Sequence, residues 1–160
     1  MEERISHFML RAAKLEFFLA NIDVRYVHLR PLGALQVVSG INWTSVAERI
    51  EQAFPFDAFD FSTSLFSFLQ SASPQYLAWS HESGFRWDSD TAAINSWERM
   101  LTRSYAQLRN NIAHGNKFQM LAPFTHDRTA KFLDAGGALI DFIGGDVFRV
   151  PDWETPIVFQ

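Results

Sequence analysis

With 160 residues and a hydrophobic fraction of 48%, the chain has the size of one folded unit and enough apolar material to fill one core. It contains no cysteine, which excludes disulfides, thiolate nucleophiles and Cys-ligated zinc or iron–sulfur centres and makes the cytoplasm the natural compartment. The net charge of −4 argues against coating nucleic acid through a generally basic surface, because that binding is driven by phosphate neutralisation.

The average hides one local exception. From Arg99 to Lys117 the chain carries Arg99, Arg103, Arg109 and Lys117 and no acid, a local charge of +4 that leaves −8 for the rest. This segment reads either as a focused basic site or as a solvated helix face. No charge-free apolar run approaches the roughly 20 residues of a bilayer span. The Met-Glu-Glu-Arg start carries acids where a signal peptide needs bases, so the reading is a soluble, untargeted protein with no membrane partner. No internal repeat, low-complexity tract or Pro/Gly-rich linker divides the chain, and residues 1–160 are expected to form a single helical domain.

In chain order, Ile5, Phe8, Met9, Ala12, Leu15 and Leu19 recur at steps that predict an amphipathic helix over residues 3–20. Residues 22–40 are ambiguous between helix and extended chain around Pro31; the reading favours a kinked helix. Trp43, Val46, Ala47, Ile50 and Phe54 share one helical face, with Ser45 and Glu48 at capping-box spacing and Pro55 as a stop. Six phenylalanines lie between Phe54 and Phe68, and Phe61, Leu65, Phe68 and Leu69 form a short stripe after an Asp60 cap. This greasy stretch reads as core, with a dimer interface as the alternative.

Residues 74–90 resemble two short aromatic strands about a Ser83-Gly84 turn, or a structured loop. Ile94, Trp97, Leu101, Tyr105, Leu108 and Ile112 predict a long helix over residues 91–112, with Gly115 as terminator. A last helix is expected from a Thr125 cap to about Ile143, ended by Gly144-Gly145, in which Gly136 and Gly137 let another helix come close. The tail from Val147 to Gln160 is expected to run extended over the surface. The fold class that follows is all-α, an antiparallel bundle of about five helices with a small aromatic hairpin or loop insertion.

Most catalytic arrangements lack their parts. There is no Gly-rich phosphate loop, Walker motif, HExxH helix or GxSxG elbow. His7, His28, His81, His114 and His126 have no carboxylate or second His at a metal-site spacing, so no metal and no cofactor are expected. The segment Leu108-Arg-Asn-Asn-Ile-Ala-His-Gly115 differs, because it sets Arg109 and His114 five positions apart at the end of an amphipathic helix. This string resembles the signature of the HEPN superfamily: an Arg followed after four to six residues by a His, with a polar residue, here Asn110, directly after the Arg. The match is tight over about seven residues and looser over a domain-length helical layout.

What the resemblance implies is a metal-independent endoribonuclease of a prokaryotic toxin–antitoxin or antiviral defence setting, dimeric so that two motifs meet across a cleft, with RNA as substrate and an antitoxin or regulatory protein as partner. His114 would exchange the proton near neutral pH and Arg109 would present its planar fork to the phosphate. Asn110 would orient either of them. Arg103, Asn111 and Lys117 would hold the RNA. On a straight helix Arg109 lies about 40° from Tyr105 and about 60° from Ile112, at the rim of the buried stripe, while His114 points about 140° away; convergence needs the helix to end near Ala113 or a second subunit. A purely structural account stays open, in which Arg109 pairs with a carboxylate, the two Asn residues terminate the helix and His114 caps its carbonyls. Two rivals stand beside the ribonuclease: a non-catalytic HEPN-like module binding RNA, a nucleotide or a protein, and an interaction protein docking through its Phe-rich surface.

Overall fold

Helix α1 (Glu2–Ile22) carries the predicted stripe, and Ile5, Phe8, Ala12, Leu15 and Leu19 are all buried. The computed structural model describes residues 1–113 and 126–155. After α1 the chain forms a β-hairpin of β1 (Val27–Leu32) and β2 (Leu35–Ile41), then α2 (Trp43–Ala53) and α3 (Ser67–Ser71). A second hairpin follows, β3 (Tyr76–Ser80) and β4 (Gly84–Asp88). Next come α4 (Trp97–Arg99), a π-helical stretch Met100–Tyr105 and α5 (Ala106–Ala113). The last long helix is α6 (His126–Asp141), which passes into a π-helical segment Phe142–Val147.

The all-α expectation is therefore corrected: the fold is mixed α and β, with two separate antiparallel two-stranded sheets, β1-β2 and β3-β4. The main departure is at residues 22–40, where a hairpin replaces the kinked helix. Pro31 removes a backbone donor that a helix needs but a two-stranded edge does not. Gly33, at φ 60°, supplies the left-handed conformation for the turn between Leu32 and Leu35. A bulge between His28 and Leu29 shifts the register and raises the local twist. The second hairpin matches the aromatic reading, with Gly84 at φ 67° in the turn. Its cross-strand pairs Leu77–Trp87 and Trp79–Phe85 put four large apolar side chains on one face.

Helix α2 forms as expected, but its cap is Asn42, whose side chain accepts from the Ser45 N–H at 3.3 Å. Asp60 caps a 3-10 turn by accepting from the Ser62 N–H at 3.0 Å; the expected stripe fails at Leu65, which is 84% exposed. The phenylalanines of this region pack around Trp97, with ring centroids of Phe56 at 5.3 Å and Phe59 at 5.1 Å, and the Trp97 Nε1 donates to the Phe54 carbonyl at 2.7 Å. The helix expected from residue 91 begins only at Trp97, where Ser96 caps it by accepting from the Arg99 N–H at 3.2 Å.

Helix α6 lies against α1, and Gly136 is the reason it can. A Cβ there would come within 2.7 Å of Phe8 and 2.8 Å of Leu108, whereas at Gly137 it would meet nothing within 4 Å. The helical path continues past Gly144-Gly145, the expected stop, because the Trp153 ring occupies the place of a side chain at Gly144, 2.5 Å from where a Cβ would lie. Lys14 secures this return of the chain by donating to the carbonyls of Asp152, Trp153 and Thr155. Among the described residues no helix is long and apolar enough to cross a membrane.

The two adjacent glycines make opposite predictions. Gly136→Ala should destabilise by about 1–3 kcal/mol through overpacking, and Gly137→Ala should stabilise by about 0.5–1 kcal/mol through helix propensity. Urea unfolding of the two variants measures both, and equal shifts would contradict the packing described.

Candidate functional site

The motif helix is built from the buried side outward. Its π-helical stretch buries Met100, Leu101, Ser104 and Tyr105, and the Ser104 hydroxyl donates to the Leu69 carbonyl at 2.9 Å, which ties it to α3. Leu108, Asn111 and Ile112 continue the buried face along α5. Arg109, one turn after Tyr105, stands at the rim, as its helical angle predicts.

Arg109 is held by Glu16 of α1 in a two-pronged pair, with Nε at 2.9 Å from one carboxylate oxygen and Nη2 at 2.8 Å from the other. The Arg109 side chain is 36% exposed and that of Glu16 22%, so the pair is partly screened by water and stabilises by on the order of 1 kcal/mol. Its larger effect is geometric, because a bidentate carboxylate fixes the plane of the guanidinium. Below it lies the Tyr105 hydroxyl, fully buried and without a hydrogen-bond partner among the described residues. Burial pushes its pKa far above the ordinary tyrosine value; the Glu16 carboxylate adds to the rise and Arg109 opposes it. Tyr105 is thus a neutral, inert floor rather than an acid or base.

Asn110 is exposed beside Arg109. Asn111 is 1% exposed: its Nδ2 donates to the Gln75 carbonyl at 2.7 Å and its Oδ1 accepts from Gln107 at 2.8 Å. The residue expected to touch RNA instead anchors the root of the second hairpin. Arg103 makes a second tie just beyond β4, its Nη1 lying 2.6 Å from Asp90. The Ala92 backbone N–H, and after it the Arg103 guanidinium, hold the Asp90 carboxyl below the usual carboxylate range. The motif helix is thus tied to the chain just before β3 and just after β4, and the hairpin between these ties exposes Trp79 (55%) and Phe85 (74%). His114 and Lys117 lie outside the described residues, as do the Gly115 terminator and the Thr125 cap.

Glu16 is the residue that sequence reasoning missed. Its signal is weak but present: it follows Leu15 on α1, where an acid flanking a buried stripe meets whatever cation the packed helix presents. Among the described residues no three metal-ligating side chains come together. Comparison of the chain with family models, with curated proteins and with solved structures finds no match, so the geometry has to be interpreted by its own chemistry.

If Asn111 anchors the hairpin, Asn111→Ala should destabilise by about 1–3 kcal/mol, the cost of stranding the Gln75 carbonyl. Hydrogen exchange at residues 76–88 should accelerate with it. Unchanged protection in the hairpin would remove the anchoring role.

Proposed function

We propose that the chain is a HEPN-type, metal-independent endoribonuclease in which Arg109, Asn110 and His114 act on RNA. The observation that carries this reading is the setting of Arg109. It is half-exposed, fixed in plane by Glu16, next to an exposed Asn110 and five positions before His114 in the chain. In this mechanism the ribose 2′-hydroxyl attacks the adjacent phosphorus, His114 accepts the hydroxyl proton, and the 5′-oxygen departs and is protonated, leaving a 2′,3′-cyclic phosphate. Arg109 stabilises the extra negative charge of the phosphorane. Arg103 keeps donors free beyond the one directed at Asp90 and, with Lys117, contacts the RNA backbone. Exposed Trp79 and Phe85 offer rings on which unpaired bases stack. A second copy of the chain completes the site, the setting is a prokaryotic toxin–antitoxin or antiviral defence system in the cytoplasm, and an antitoxin or regulatory protein restrains the activity.

The two hairpins are not part of an all-helical layout, so the motif helix, and not the fold as a whole, supports the assignment. One observation favours a second reading. The Glu16 pair and the burial of Asn111 are what a purely structural motif requires, and they fit a HEPN-like module that binds RNA, a nucleotide or a protein without cutting.

Cleavage of total RNA in EDTA separates the two. Wild type should cut and leave 2′,3′-cyclic phosphate ends, and Arg109→Ala and His114→Ala should lose at least about 100-fold in rate while remaining folded by circular dichroism. Three equally inert or equally active proteins would overturn the enzyme in favour of the binding module.

A further inference from the structure

The contact between α1 and α6 is a ladder of ion pairs with one rung missing. Helix α1 presents Arg4, His7 and Arg11 at steps of three and four, and α6 presents Asp134, Gly137 and Asp141 opposite them. Arg4 meets Asp134 at 2.8 Å; Arg11 pairs with Asp141, with Glu154 at 3.5 Å. Between these rungs stand His7, which has no partner among the described residues, and Gly137, at which a Cβ would meet nothing within 4 Å. The gap opens into a cavity of 660 Å³, within the range of small-molecule sites.

The cavity has an apolar floor and an acidic rim. Phe8, Leu133 and Phe142 come from the helices, and Phe59 and Phe66 close the far side. Leu65, the most exposed large apolar side chain among the described residues, stands on the rim. The π-helical segment after α6 turns Gly145 and Asp146 into the wall, and such departures from α-helix recur at ligand sites. The charges do not cancel. Arg4 and Arg11 are matched by Asp134 and Asp141, which leaves Asp60 and Asp146 unmatched by any cation among the described residues. Asp146 has no partner among them, and among them Asp60 accepts hydrogen bonds from Ser62 and Thr63 alone, which keep its carboxyl below the usual range. An anion would meet net repulsion here, whereas an ammonium would find both carboxylates and aromatic rings.

We propose that the cleft between α1 and α6 binds a small organic cation, an amine whose apolar body lies on Phe59 and Phe142 and whose ammonium is held by Asp60 and Asp146. Neither Arg103, Arg109 nor Asn110 lines this cleft, so the site is independent of the ribonuclease reading.

Three probes of one shape and different charge test it: tryptamine, the neutral tryptophol, and the anionic indole-3-propionate, each titrated into the full chain by calorimetry. Tryptamine should bind about tenfold tighter than tryptophol, and indole-3-propionate should be weakest. The double variant Asp60→Asn/Asp146→Asn should bring tryptamine to the level of tryptophol. Gly137→Leu, at a position where an added Cβ meets nothing within 4 Å, should abolish binding of all three while its circular dichroism spectrum matches that of wild type. Failure of tryptamine to bind wild type at millimolar concentration, equal affinity for the three probes, or retention of the tryptamine preference in the double variant would each overturn the proposal.

Discussion

The approach of α6 to α1 at Gly136 and Phe8 is the constraint from which the rest of the molecule follows. Only an absent side chain lets the Phe8 ring and Leu108 sit against the α6 backbone, and interiors packed to this density do not yield to an extra methyl group without displacement. With α1 in that position its buried stripe faces α5 and α6, its cations Arg4 and Arg11 fall opposite Asp134 and Asp141, and Glu16 reaches the motif helix. The same helix thus serves two faces. One holds Arg109, and the other forms half of the acidic cleft.

The electrostatics change the meaning of the basic segment. As a string of residues, 99–117 carries +4 with no acid, yet the structure supplies acids from elsewhere in the chain: Asp90 to Arg103 and Glu16 to Arg109. A protein that neutralises phosphate through unengaged cations would show a steep salt dependence. Here the cations are positioned and partly neutralised, so the folded segment presents less unengaged positive charge than its residues alone suggest. The hairpin flanked by the Asn111 and Arg103 ties leaves Trp79 and Phe85 exposed.

Much of the local structure is legible in the sequence, and the failures share a cause. The α1 stripe, the α2 face, the aromatic hairpin and the close helix approach at Gly136 are local patterns in which periodicity or a missing side chain speaks for itself. Residues 22–40 read as helix because their apolar residues fit either period, and Pro31 and Gly33 together, not the pattern, decide for a hairpin. The π-helical stretches leave no periodic signature. Asn111 looks like a ligand-facing amide because its partner, the Gln75 carbonyl, is a backbone atom 36 positions away. Glu16 gives only a weak signal as a site residue for the same reason, being 93 positions from Arg109, and only tertiary packing brings them together.

That pair is the point on which the account of the site turns, and a double-mutant cycle tests it directly. Urea unfolding of wild type, Glu16→Gln, Arg109→Gln and the double variant gives the coupling between the two side chains free of their separate effects. A coupling of about 0.5–1 kcal/mol, falling in high salt, is the result predicted for a bidentate pair that fixes the motif's arginine. A coupling indistinguishable from zero would mean that Glu16 does not hold Arg109 in solution.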